Sequence, residues 1–451
     1  MPFAIILLVV VAVLTNYSVG ILVGAGVRCG QTTFEGAADA LLGRRGFYAI
    51  TWFMWFAAIG AMSIYFIMIG DVLPPVVYAL HGVLPKRQTV ILVCAALTLP
   101  ICLLRNMSAL GRTSLLSTAA AATIAVTVAT RGPIAAADRG PAAWYACVRK
   151  PDEDLAFVRP ARAFAGLGVI SGAYFCQHSA FIVHDSLRNA TPARWQIVSR
   201  GALGVALAVS LVIAIGGYTS FYGAAQGNIL NNFSFDDGAV NVSRFLLALT
   251  MVLTLPMECF VARQSAHAAL SLLWPGRYAG RRGGEEEGGG GDRKPAAELI
   301  GRMTTRQVVC LSVCWWGLSL GIGLVFTSVG HLMELTGAVT GGALGYIIPV
   351  MCHFYSQPGG PGQLWREAKG AWSPSSPFYG ANVRARLRSA WRFGAPAGLA
   401  TFGAIAIVGG LASIYGPGQP HAEVDAVSGA AVIEVAGVFD AGSGTWDCGG
   451  P

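Results

Sequence analysis

Residues 239–266 read AVNVSRFLLALTMVLTLPMECFVARQSA. A helix crosses the hydrocarbon core of a bilayer in roughly 20 apolar residues, and this stretch is long enough. It carries Thr250 and Thr254 one helical turn apart, then Pro256, then the carboxylate of Glu258, ahead of Arg263. Polar groups at membrane depth are costly and face a protein interior or a wet cavity. A proline beside them frees backbone carbonyls, which can serve as cation ligands. The stretch therefore reads as a transmembrane helix forming one wall of an ion or solute site.

The rest of the chain extends that reading. Of its 451 residues 54% are hydrophobic and only 12% charged, with a mean hydropathy of +0.57. Soluble domains carry about twice that charge, roughly 25%. Ten spans of sufficient apolarity can be placed at about 3–24, 47–72, 88–104, 114–130, 163–184, 198–223, 240–264, 306–327, 331–354 and 394–415. They make residues 1–415 a single transmembrane domain of an all-α polytopic membrane protein. The segment 275–304, with its GGEEEGGGGD core, is expected to be a flexible cytosolic loop. Residues 416–451 form an acidic tail without a spanning segment, expected to be disordered. The net charge of +8 is not a nucleic-acid signal. Its densest clusters, Arg277 to Arg302 and Arg384 to Arg392, fall on loops of one parity and mark the cytosolic side.

The ten cysteines contain no C-x-x-C pair, which argues against a zinc ribbon or dithiol motif. The start, MPFAIILLVVVAVL, has no basic n-region and no A-x-A-like cleavage site, so a span is expected there rather than a signal peptide.

Several short motifs occur in order along the chain. Thr15-Asn-Tyr-Ser18 closes the first span and Thr32-Thr-Phe-Glu35 follows it. Gly60-Ala-Met-Ser63 precedes Ile69-Gly-Asp-Val-Leu-Pro74, and Leu104-Arg-Asn106 precedes Ala109-Leu-Gly-Arg-Thr-Ser114. Phe175-Cys-Gln-His178, residues 228–237, Leu253-Thr-Leu-Pro-Met-Glu-Cys-Phe260 and Glu334-Leu-Thr-Gly337 through Pro349 complete the series. Each is weak alone, but their collinearity from about residue 3 to 415 resembles the amino acid/auxin permease family, in its sodium-coupled neutral amino acid transporter branch. The resemblance implies a leucine-transporter-like fold of two inverted five-helix repeats in an eleven-helix protein. The ten spans correspond to the family's helices 2 to 11, and its first helix has no counterpart before Met1. In the family, helices 1 and 6 form the substrate site and helices 1 and 8 the sodium site.

The fifth span matches the sixth family helix. Gly166, Gly168 and Gly172 crowd one half of it, and each interior glycine costs about 1 kcal/mol of helix stability relative to alanine. An unwound segment is one reading, and a G-x-x-x-G packing face made by Gly168 and Gly172 is the other. The resemblance favours the break and implies substrate contacts from Gly172, Phe175, Cys176, His178 and Ser179. His178 is either a packed histidine or a group giving transport a proton sensitivity. Thr254, with Thr250 beside it, is the candidate Na⁺ ligand by resemblance; the alternative for both is a hydroxyl bonded to the carbonyl one turn back. Glu258 either pairs with Arg263 at the cytosolic end or stands on an ion or proton pathway. Asp71 and Glu334 read as interfacial, structural carboxylates. Asn16 stands where related sequences carry an aspartate. Gly337, Gly341 and Gly345 share one face, so the ninth span is expected to be a packing or hinge element rather than a ligand source.

Nothing in the chain resembles H-E-x-x-H, a P-loop or a nucleophile–base set, so an enzyme is not expected. Two classes remain. One is secondary active transport of small neutral amino acids, coupled to Na⁺ or H⁺ without any cofactor. The other is a transport-inactive amino-acid sensor or truncated membrane protein. The expected partners are amino acids and the bilayer, with no nucleic acid. The plasma membrane and a lysosomal or vacuolar membrane both fit, and the sequence does not specify an oligomeric state.

Overall fold

The computed structural model describes residues 2–104, 113–147, 160–221, 225–274, 303–326, 328–364, 390–415, 438–440 and 445–447. Most of the loop 275–304, the segment 105–112 and most of the tail lie outside the described residues.

Eleven helical elements follow one another. They are α1 (Pro2–Cys29), α2 (Phe34–His81), α3 (Arg87–Cys102), α4 (Thr113–Cys147), α5 (Pro160–Ala173), α6 (Gln177–Asp185), α7 (Pro192–Phe221), α8 (Gly238–Leu273), α9 (Thr305–Val325), α10 (Val329–Tyr355) and α11 (Ala395–Tyr415). Among the described residues, nine helical stretches are long and apolar enough to cross a membrane, with α5 and α6 counted as one. The exception is α3, whose 16 residues rise only about 24 Å. Every one of the ten expected spans coincides with a helix. In the tail, Val438–Asp440 and Thr445–Asp447 pair as a short antiparallel ladder.

Local chemistry sets the boundaries. Thr33 caps α2 by accepting from the Gly36 N–H at 3.1 Å. Gly43, at φ 72°, bends α2 and separates a short N-terminal arm from the spanning part. Gly82 ends the helix in the left-handed conformation. Asp237 caps α8 through the N–H groups of Ala239 and Val240, at 3.0 and 3.3 Å. Thr304 and Gln307 form a reciprocal capping box at the start of α9.

Two buried arginines tie the N-terminal and C-terminal parts of α8 to its neighbours. Arg244 is fully buried and donates to the carbonyls of Leu230, Phe233 and Ser234 and to Asn241 Oδ1, at 2.7 to 3.1 Å. It thereby shapes the connection from α7 into α8. Arg263 donates to the carbonyls of Cys102 and Leu104, at 3.0 and 2.7 Å, and to the Ser312 hydroxyl at 3.1 Å. It thus caps the C-terminus of α3 with a positive charge, the favourable sign at that end of a helix dipole.

The most extensive helix pairing is α2 against α8, and α10 packs centrally against α5 and α11. The centre of α10, Gly337–Ile347, is wound as a π-helix. In the spanning window of α10, 72% of residues are buried in protein, against 6% for α7. The first is an interior helix and the second a peripheral one.

Candidate functional site

The glycines of α5 serve both of the roles the sequence left open. A Cβ on Gly172 would lie 2.8 Å from the Cα of Gly337, and one on Gly168 would lie 3.1 Å from the Glu334 carbonyl. Gly168 and Gly172 are thus a packing face for α10. Directly after it the helix stops, with Tyr174, Phe175 and Cys176 outside helical geometry before α6 resumes at Gln177. The Phe175 N–H turns back to the Gly172 carbonyl at 3.1 Å, closing the first half-helix. The Ser179 hydroxyl donates to the Cys176 carbonyl at 3.0 Å and caps the break locally.

Beside this break lies a cavity of about 250 Å³. One wall is α2, through Met54, Ala57, Ala58, Ala61, Ile64 and Tyr65. The broken helix supplies Val169, Gly172, Ala173, Phe175 and His178. Glu258 and Val261 come from α8, and Met333, Thr336, Gly337 and Thr340 from α10. The Phe175 and His178 rings lie 5.0 Å apart, tilted by 31°. The His178 Nδ1 and the Thr336 hydroxyl are buried with no hydrogen-bond partner among the described residues.

Glu258 is the sole carboxylate among the described lining residues, and no lysine or arginine lines the cavity with it. The pairing with Arg263 is not formed: among the described residues Glu258 belongs to no ion pair. Its neighbour from α2 is Tyr65, which also lies beside Thr254. Thr254 donates to the Thr250 carbonyl at 2.7 Å, and Thr250 to the Leu247 carbonyl at 2.8 Å. Both hydroxyls thus make the bond to the preceding turn, and Thr254 meets the cavity wall through Tyr65 rather than lining it. Cys176 and Ser179 do not line the cavity either; Cys176 packs against the cluster of Val19, Val23, Ala180 and Trp195.

The remaining polar residues find structural partners. Asp71 pairs with Arg87 at 3.1 Å, and Glu334 accepts from the Ser413 hydroxyl of α11. Asn16 accepts from the Ser199 hydroxyl at 2.9 Å, joining α1 to α7.

The ninth span is more than a packing element. Gly337 does pack on Gly168 and Gly172, and Gly341 on Ser171. The same helix presents Thr336 and Thr340 to the cavity, a contribution that the glycine pattern concealed. Tyr65 was also not apparent from the sequence, because a single aromatic in an apolar run carries no signal of the face it occupies. Thr336 had a signal, since it stands inside Glu334-Leu-Thr-Gly337.

Known proteins agree with this architecture. The model of the family described as "Transmembrane amino acid transporter protein" matches residues 1–358. The Danio rerio protein provisionally named sodium-coupled neutral amino acid transporter 11 is 28% identical over 358 residues, covering 78% of this chain and 72% of the relative. Its Homo sapiens counterpart is 27% identical, covering 78% and 79%. Vacuolar amino acid transporter 2 of Saccharomyces cerevisiae is 26% identical, covering 78% and 67%. With the family match spanning most of the chain, and with membrane-spanning helices packed around a cavity at a helical break, this protein belongs to the transmembrane amino acid transporter family, the amino acid/auxin permeases, on the branch of sodium-coupled neutral amino acid transporter 11.

Proposed function

We propose that this protein is a secondary active transporter of small neutral amino acids, coupled to Na⁺ or H⁺ and working by alternating access. The observation that carries the reading is the cavity at the helical break, with Glu258, a carboxylate in no ion pair among the described residues, on its wall. A zwitterionic substrate needs a donor-rich end for its carboxylate and a place where positive charge is welcome. The first turn of α6 presents backbone N–H groups at the positive end of a helix dipole. Gly172, Phe175 and His178 surround it, with Cys176 and Ser179 shaping the break behind them. The coupling cation is drawn to the side of α8, where Thr254 and Thr250 offer oxygen atoms and Glu258 offers charge. A cation that binds one state of the carrier better than the other shifts its population toward that state, which is the physical basis of coupling.

Uptake of labelled glutamine and alanine into proteoliposomes tests the proposal, with an inward Na⁺ gradient, an inward H⁺ gradient, or neither. Accumulation under one gradient alone is expected, and that gradient names the ion. Substrate binding without uptake under any gradient would instead make the protein a sensor. The membrane in which it works, plasma or lysosomal and vacuolar, would follow from the ion only in part, so localisation of a tagged full-length protein completes the test.

A further inference from the structure

Gln177 opens α6 immediately after the break and is only 1% exposed. Its side-chain amide is used at both ends. Oε1 accepts from the backbone N–H of Cys176 at 3.0 Å, inside the unwound segment. Nε2 donates to the Gly345 carbonyl of α10 at 3.0 Å and reaches the Ser18 hydroxyl of α1 at 3.5 Å. Ser18 in turn donates to the same Gly345 carbonyl.

The chemistry of α10 explains why that carbonyl is available. Gly345 lies in the π-wound stretch, where the Ile348 N–H donates to the Ala343 carbonyl five residues back. Pro349 brings no N–H to the end of that stretch, so the backbone ladder there is one donor short. The Gly345 carbonyl is the one that takes side-chain donors, while the break in the α5–α6 helix leaves a backbone donor spare. A buried polar group left without a partner is costly. One side chain satisfies both defects. Beside it, the Thr15 and Tyr346 hydroxyls lie 3.2 Å apart and make a second link between α1 and α10.

We propose that Gln177 is the positioning residue of the broken helix. Its amide locks the unwound segment to the Gly345 carbonyl of α10, and so fixes where Phe175 and His178 stand in the cavity relative to Thr336 and Thr340. The kinetic arm of the test rests on the transport reading above; the hydrogen-exchange arm does not.

The test compares Gln177→Leu, Gln177→Glu and Ser18→Ala in the full chain. Leucine removes the bonds to Cys176 and Gly345, glutamate keeps the acceptor for Cys176 but loses the donor to Gly345, and Ser18→Ala removes only the long contact to Ser18 and leaves the bonds to Cys176 and Gly345 intact. Hydrogen exchange of the purified protein is read on peptides covering residues 172–179. Both Gln177 variants are expected to raise exchange there about tenfold or more, with α2 and α8 peptides unchanged and Ser18→Ala close to wild type. In proteoliposomes the Gln177 variants are expected to raise KM about tenfold with maximal rate within a factor of about three, the signature of a misplaced site in a folded protein. Unchanged exchange over 172–179, or an increase spread evenly across all helices, overturns the proposal. If Gln177→Leu does not fold, Gln177→Asn, one methylene short of Gly345, is read in the same way. A wild-type protein that transports nothing would defeat the functional reading, while the exchange result would still decide the role of Gln177.

Discussion

At the scale of single residues, charge at depth decides what can be tested. Glu258 faces the cavity with no basic partner among the described residues, so whatever positive charge enters is expected to be felt there. Glu258→Gln keeps the shape and removes the charge. Gradient-driven accumulation should fall about tenfold or more, while exchange of labelled for unlabelled amino acid across the membrane persists. Unchanged accumulation would remove Glu258 from the coupling path. Thr254→Ala should weaken stimulation by Na⁺ if that is the coupling ion, with Thr254→Ser retaining it; equal Na⁺ dependence in both variants and wild type would leave Thr254 as a helix back-bond only. Arg244 makes a different kind of prediction. It is fully buried and holds three carbonyls of the α7–α8 connection together with Asn241. Arg244→Met orphans those acceptors and should cost about 3 kcal/mol or more, read as a lowered thermal denaturation midpoint in detergent. Thr254, Glu258 and His178 stand out in the sequence because a polar side chain in an apolar run is conspicuous. Gln177 stands in the same short motif as His178, yet its role could not be seen. The acceptor it serves is 168 positions away, on the π-wound stretch of α10.

At the scale of elements, the sequence carried helix placement well and the fine structure of helix centres poorly. Glycine crowding in the fifth span left a break and a packing face equally open, and the structure has both: Gly168 and Gly172 pack on α10, and the chain leaves the helix at Tyr174, two residues beyond Gly172. The π-winding of Gly337–Ile347 had no such signal, since it follows from the packing of α10 between α5 and α11 rather than from any propensity. The glycine ladder of α10 is correspondingly unequal. A Cβ on Gly337 would collide with the Gly168 carbonyl, a backbone atom that cannot swing away. At Gly345 the nearest atom to a new Cβ is Gln177 Nε2 at 3.7 Å, an ordinary contact. Gly337→Ala should therefore destabilise the protein by about 1–3 kcal/mol, whereas Gly345→Ala should be near neutral. Thermal denaturation of the two variants side by side checks the contrast, and equal effects would mean that the α5–α10 contact is looser than it is drawn here.

At the scale of the whole molecule, burial separates parts that can move from parts that frame them. The cavity is walled by α2, the α5–α6 break, α8 and α10, and α10 is the most enclosed of the spanning helices. By contrast only 6% of the spanning window of α7 is buried in protein. A change of access must therefore re-pack α10 against the broken helix, since those two carry both the cavity wall and the closest backbone approach. Packed cores of this density switch between discrete arrangements rather than deform continuously. Ala61 on α2 lines the cavity and is small, so a thiol placed there reports on which side is open. Ala61→Cys, in a background where the exposed Cys310 and Cys314 are replaced by serine, should react with a membrane-impermeant thiol reagent from one face of the vesicle in the absence of substrate. Adding the amino acid together with its coupling ion should slow that reaction by about tenfold or transfer it to the other face, because the loaded state is the one whose population the ligands raise. Reaction from a single face at a rate that neither ligand changes would mean that the cavity binds without switching, as a receptor does. Reaction from both faces at once would mean a pore, in which no gradient of one solute could be used to concentrate another.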